Sequence, residues 1–193
     1  MTTPVTTPAP GELEMVRQFV NTRDVEEGTE ALRTPDDLTR WLRDASLLGT
    51  GPGSRADASQ LAVAVALREG LRAAMAANHD GAPPPPEAVA VVNEVAGRAE
   101  LRLRLADDGA WRAEPASGGV DGALGALVTL VWGAMSDGTW RRLKVCVQDA
   151  CQWSFYDESK ARSAKWCSMQ LCGNRAKQQA WRERQARTGG GPG

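Results

Sequence analysis

The chain of 193 residues contains a single histidine, His79, and only four lysines. One imidazole cannot build a His-based metal site or a recognisable catalytic triad. Neither a Gly-rich phosphate loop nor a nucleophile elbow is present, so enzyme activity is not expected. Residues 1–10 are rich in Thr and Pro and carry no basic side chain. No secretory leader is expected from that composition, and the segment reads as a disordered tail. Long apolar runs are also missing. The most apolar stretch, Val120 to Met135, spans 16 residues and is broken by Asp121, Gly122, Gly125 and Gly133. It is short for a bilayer span and reads as a buried helix. No membrane association and a cytoplasmic location are therefore expected. No internal repeat is visible, and the first 145 residues contain no cysteine.

What is present is unevenly placed. The formal net charge is −1, which on its face argues against nucleic-acid binding. Residues 1–140, however, carry 12 basic and 20 acidic side chains, a net of −8. Residues 141–193 carry 11 basic and 4 acidic ones, a net of +7. All four lysines and all four cysteines lie on the basic side. The pattern is an acidic body joined to a basic module.

The body reads as mainly α-helical with a small β-hairpin. Leu13, Val16, Phe19 and Val20 form one apolar face of a first helix. Thr34-Pro35-Asp36-Asp37 is a helix start, with Thr as N-cap, Pro at N1 and acids in the first turn. Ser54 to Asn78 is a long helical stretch with Leu61, Val65, Leu67, Leu71 and Met75 as its core face. After a proline spacer at Pro83 to Pro86, Glu87 to Ala99 is helical. Leu101, Leu103 and Leu105 alternate with Arg102 and Arg104, which predicts a strand with one buried face. Asp107-Asp108-Gly109 turns it into a second strand over Ala110 to Glu114.

The cysteines read Cys146-x4-Cys151, fifteen residues, then Cys167-x4-Cys172. Two short pairs separated by a loop are the pattern of a tetrahedral zinc site. Four thiolates leave no open position, so one structural Zn²⁺ is expected rather than a catalytic one. Free thiols or two disulfides are the alternatives, disfavoured by the paired spacing. His79 is expected at a helix end and not on the metal. Trp153, Phe155 and Tyr156 supply a small aromatic core, and Ser159 to Trp166 reads as a short helix capped by Asp157 or Ser159. A helix from Gly173 to about Arg187 follows. The arrangement is either treble-clef-like or ribbon-like.

The segment Cys146 to Arg175 resembles the CGNR zinc finger. Cys172-Gly173-Asn174-Arg175 are its signature tetrapeptide. The cysteine spacing, Asp157, Ser159 and Trp166 agree with it. The body resembles the ABATE domain, through Phe19-Val20-Asn21-Thr22, the Leu38-to-Leu42 helix and the order of elements leading to Arg141-Arg142-Leu143-Lys144. The resemblance implies a multihelical ABATE-like domain over 11–140, a finger over 141–187, and tails at 1–10 and 188–193. It also implies a bacterial, stress-induced transcriptional regulator that binds zinc and double-stranded DNA.

On a helix, Arg175, Gln178, Gln179, Arg182 and Gln185 share one sector of about 120°. Arg and Gln can pair bidentately with base edges. Lys177 and Arg184 suit phosphates, and Arg141, Arg142, Lys144, Lys160, Arg162 and Lys165 add charge nearby. A solvated helix face would look the same, and Arg175 could instead hold Asp157. Four thiolates on Zn²⁺ add about −2, leaving the module near +5. Asn21, Thr22 and Arg23 are candidates for a ligand pocket serving a small-molecule or protein effector, with a helix C-cap as the alternative. A homodimer is a further expectation. Two functions stay open: a zinc-dependent DNA-binding regulator, and a zinc-stabilised protein–protein interaction adaptor.

Overall fold

The computed structural model describes residues 6–188, with side chains to Gln185. Of the expected tails, 1–5 and 189–193 lie outside the described residues. Within 6–10, Ala9 is buried and its N–H donates to Glu14, so this end of the segment joins the core.

The described residues form six α-helices and three two-stranded antiparallel sheets. Helix α1 (Leu13–Val20) buries Leu13, Val16, Phe19 and Val20, the face expected from their spacing. A short hairpin follows, β1 (Arg23–Asp24) with β2 (Thr29–Glu30). Helix α2 (Pro35–Asp44) opens on a capping box in which Thr34 Oγ1 accepts from the Asp37 N–H and Asp37 accepts from the Thr34 N–H. Helix α3 (Ala58–Ala77) repeats the device with Asp57 and Gln60. Such caps satisfy N–H groups that have no partner inside the helix, at about 1 kcal/mol each. Helix α4 (Pro86–Arg98) begins as the proline run ends, with Pro86 at N1.

Helices α3 and α5 (Gly119–Asp137) each touch α1, α2 and α4, so they form the centre of the body. Helix α5 is long and apolar enough to cross a membrane, but half of that apolar window is buried inside the fold. It packs close to its neighbours at Gly125. A Cβ there would overlap the Ala99 methyl and lie 3.4 Å from Leu101 and Pro115. Gly125→Ala would gain up to about 1 kcal/mol in helix propensity. The Ala99 methyl is rooted on the backbone and cannot swing aside, and overpacking of this kind costs about 1–3 kcal/mol. We expect Gly125→Ala to lower stability in urea unfolding; an equal or higher midpoint would contradict the close approach.

Strands β3 (Leu101–Leu105) and β4 (Trp111–Pro115) pair from Leu101↔Pro115 to Leu105↔Trp111. The expected buried leucine face is corrected. Leu103, Leu105 and Trp111 are 65%, 55% and 60% exposed. Only the base of the ribbon sits against α5, and a two-stranded ribbon has no further element closing over its apolar side.

Strand β5 (Leu143–Val145) is reached from α5 through a short 3-10 turn, Trp140–Arg142. It lies against α3, and Trp140, Leu143 and Val145 belong to the same core as Phe19, Leu71 and Leu127. The strand that leads into the cysteine module thus belongs to the body's core, while the cysteines form a second, smaller cluster with Trp153 and Trp166.

Candidate metal centre

Strand β5 pairs with β6 (Ser154–Tyr156) in the register Leu143↔Tyr156, Lys144↔Phe155 and Val145↔Ser154. Between them the chain makes a knuckle. The Cys146 N–H donates to the Trp153 carbonyl and the Cys151 N–H to that of Gln148, while Gln152 takes a left-handed φ of 49°. The second cysteine pair comes from the segment after the loop and brings its sulfurs to the same place. Cys172 sits in a π-turn, Met169–Gly173, that opens α6 (Asn174–Thr188). Ser168 caps that turn by accepting from the Leu171 N–H. The Asn174 amide donates to the Gln170 carbonyl. A hairpin knuckle followed by a helix N-terminus is the treble-clef order, not a ribbon.

The fold brings all four sulfurs within 4.8 Å of one another. Sγ of Cys167 is 3.6 Å from that of Cys151 and 3.8 Å from that of Cys172. With Zn–S bonds of about 2.3 Å, a tetrahedron separates its sulfurs by about 3.8 Å. The cysteines are unpaired by disulfides, and three of the four are buried. Donor chemistry, spacing and burial therefore fit one structural zinc held by Cys146, Cys151, Cys167 and Cys172.

Electrostatics without a cation show why one is needed. Hydrogen bonds from Cys151 and Cys167 push the Cys146 thiol down, favouring its thiolate. The Cys146 sulfur in turn pushes Cys151 and Cys167 up. Burial, followed by the Cys146 charge, raises Cys172. The first thiolate suppresses the other three, so a divalent cation is what allows all four to ionise together. Trp153 and Trp166 pack on the cluster, and their buried indole N–H groups have no partner among the described residues.

The centre is fastened to the body by polar contacts. Asn21 makes a two-way bridge with Ser154, its amide N donating to the carbonyl at 2.9 Å and its oxygen accepting the N–H at 2.8 Å. The buried Arg72 donates to the carbonyls of Gln152 and Val20, each at 2.7 Å, and to Glu69. Asn78 donates to the carbonyls of Trp140 and Leu143. His79, just past the end of α3, places Nε2 2.7 Å from the Val145 carbonyl, one residue before Cys146.

Inside the module, Lys144 and Asp157 form an ion pair at 2.8 Å with side chains 2% and 0% exposed. Lys144 also donates to the Arg162 carbonyl, and Asp157 accepts from the N–H groups of Ser159 and Ala164. These bonds organise residues 157–164 as a loop around one carboxylate, in place of the short helix expected there. Burial works to raise the Asp157 carboxyl. Lys144, Ser159 and the loop N–H groups outweigh it and hold the carboxyl below its usual range.

Several candidate residues thus have structural employment. Lys144 is buried and spent on Asp157, so it is not a surface cation. Arg142 is half-buried and donates to the carbonyls of Asp157 and Ser159. Arg175 meets Glu26 of the body at 2.6 Å, not Asp157, whose carboxylate is already occupied. Asn21 is used by Ser154. Thr22 is buried, donating to the Phe19 carbonyl and accepting from Arg68. Arg23 is exposed on β1, its carbonyl accepting from Arg72. Of the trio, Asn21 joins body to finger, whereas Thr22 and the Arg23 carbonyl are bonded within the body. Arg141, Lys160, Arg162, Lys165, Lys177, Gln178, Arg182 and Arg184 are exposed. On α6, Ala176 and Ala180 are half-buried, whereas Lys177 to Gln179 and Trp181 to Gln185 face solvent.

Sequence reasoning missed Arg68. It is 0% exposed and makes two bonds to Glu30, at 2.6 and 2.7 Å, and one to Glu69. Burial alone would push the Glu30 carboxyl up, but Arg68 and the Leu32 N–H bring it below its ordinary value. The signal was available, because Arg68 lies at helical spacing on the stripe of Ala64, Leu71 and Met75.

Two family models match the chain. The zinc-finger segment, residues 142–185, matches the CGNR zinc finger. No curated protein matches the chain. Residues 14–137 match the ABATE model, described as "Putative stress-induced transcription regulator", and because this spans more than half of the 193 residues, the chain belongs to the ABATE family and carries a C-terminal CGNR zinc finger.

Proposed function

We propose that this chain is a zinc-dependent DNA-binding regulator whose finger contacts duplex DNA through the outer side of α6 and the loop around residues 160–165. The carrying observation is a set of free cations. Lys160, Lys165, Lys177 and Arg182 are exposed, and their side chains have no hydrogen-bonded or ionic partner among the described residues. They stand on a module whose geometry is set by the tetrathiolate site. Phosphate contacts need mobile exposed cations, and base reading needs Arg or Gln side chains that can reach a groove edge. Gln178 and Arg182 lie one helical turn apart on α6 and meet that requirement.

The reading makes a specific demand on variants. Lys177→Ala should weaken binding to all duplexes alike and make the salt dependence shallower by about one phosphate. Arg182→Ala should cost about 1–3 kcal/mol if it reads a base edge, and should do so selectively. Arg40→Ala, an exposed body residue paired with Asp37, should change nothing. Zinc-loaded Lys177→Ala and Arg182→Ala chains that bind duplexes like the unmodified chain would overturn the assignment. Zinc-dependent capture of an acidic protein surface, with no duplex binding, would point to an adaptor.

A further inference from the structure

The body carries a second feature that neither the finger nor its seam uses. Helices α4 and α5 and the β3–β4 ribbon enclose a hollow of about 440 Å³. Its depth reaches Leu71 and Val131, which are 1% and 3% exposed and belong to the core. Around its mouth stand Val89, Trp132 and Met135, apolar side chains that are nonetheless 42%, 39% and 50% exposed. The leucine face that the ribbon fails to bury contributes Leu103 to one wall. No carboxylate lines the hollow. Asn93 supplies a side-chain amide, exposed and without a hydrogen-bond partner among the described residues, while the guanidinium of Arg102 is held by Glu100.

We propose that this hollow is a binding site for an uncharged, largely apolar small molecule with an aromatic or branched body and at most one hydrogen-bonding group. The volume lies within the range of small-molecule pockets and suits about 20 non-hydrogen atoms. The lining disfavours charge: it offers no carboxylate to a cation, and its one guanidinium, Arg102, is already paired with Glu100, so a buried ion would find no unmatched counter-charge there. The shape favours a small molecule over a protein surface. Three separate elements wall the site, so a helix or a second copy of the chain could insert little more than one side chain. Trp140 also lines the hollow, and its carbonyl is held by Asn78 three residues before β5 begins. An occupant therefore touches the turn that leads from the body into the finger. The proposal does not rest on the DNA-binding reading.

The test uses the full zinc-loaded chain and the neutral fluorophore N-phenyl-1-naphthylamine, with its charged relative anilinonaphthalene sulfonate for comparison. The neutral probe should bind saturably, one per chain, and more tightly than the anion. Ala96→Phe, from the α4 wall, should weaken it by about tenfold or more by filling the space. Ala113→Phe, from the ribbon wall, should do the same and serves if the first variant does not fold. Zinc content and melting temperature identify folded variants. Absence of saturable binding, equal or tighter binding of the anion, or binding unaffected by either substitution would overturn the proposal. So would sedimentation showing a dimer that Leu103→Glu splits, because a second copy would then be the occupant.

Discussion

Cys167→Ser should destabilise the whole chain, not the finger alone. The substitution removes one thiolate from a site whose sulfurs already sit at tetrahedral spacing. Structural zinc sites of this class contribute about 10–16 kcal/mol of apparent binding energy, comparable with the whole stability of a domain. In a finger on a flexible linker that loss would stay local. Here β5 lies in the body's core, with Leu143 at 0% and Val145 at 6% exposure. Arg72, Asn21, Asn78 and His79 are bonded to the backbone of the same module. When the knuckle opens, Arg72 loses the Gln152 carbonyl while remaining buried, and a buried group left unmatched costs about 1–3 kcal/mol or more for a charge. A loss of several kcal/mol corresponds to a fall of about 10 °C or more in Tm for a chain of this size. We expect one cooperative transition at reduced temperature, with the zinc content near zero. A body transition at an unchanged temperature would mean that the two parts are energetically separate.

Asp157→Ala is expected to be the second most damaging single change. It leaves the Lys144 ammonium buried without its counter-ion and frees the N–H groups of Ser159 and Ala164. Removing one partner of a buried pair costs about 3–5 kcal/mol, whereas replacing both by apolar groups is often neutral. Lys144→Met with Asp157→Leu should therefore recover part of the stability lost in Asp157→Ala, although the two loop N–H groups remain unmatched. Urea midpoints of the single and double variants measure this directly. The pair also sets a pH dependence. The folded-state carboxyl of Asp157 lies below its unfolded value, so its contribution is fully present above the unfolded pKa, about 3.9. It is lost as pH falls through the lower folded value. Loss of this contribution near neutral pH would contradict the pairing.

Much of this was legible in the sequence because the signals were local. The Thr34 N-cap, the helix that follows the proline run and the face of α1 are written in neighbouring residues. So is the metal centre, since two cysteine pairs specify a ligand set whatever the surrounding fold. The unreadable part depended on long-range partners. Lys144 looked like one more cation of a basic tail. Only the fold places it against Asp157 in the register that pairs it with Phe155. Arg175 sits in the signature tetrapeptide, yet its partner, Glu26, is 149 residues away. Asn21 and Thr22 looked like a polar helix end open to a ligand; Ser154 of the finger occupies Asn21, and Phe19 and Arg68 of the body occupy Thr22. The ribbon leucines carried the right period, but periodicity does not say whether anything lies over the face it defines.

The functional account is tested most directly by titrating duplex DNA into the chain with and without zinc, over a series of salt concentrations. For the zinc-loaded chain we predict binding with a log–log salt slope of about −3 to −5, matching three to five phosphates neutralised by the free cations of the finger. Removing the metal should abolish it, and restoring zinc should return it. Failure of the zinc-loaded chain to bind any duplex at about 50 mM salt, or equal binding by the metal-free chain, would contradict the account.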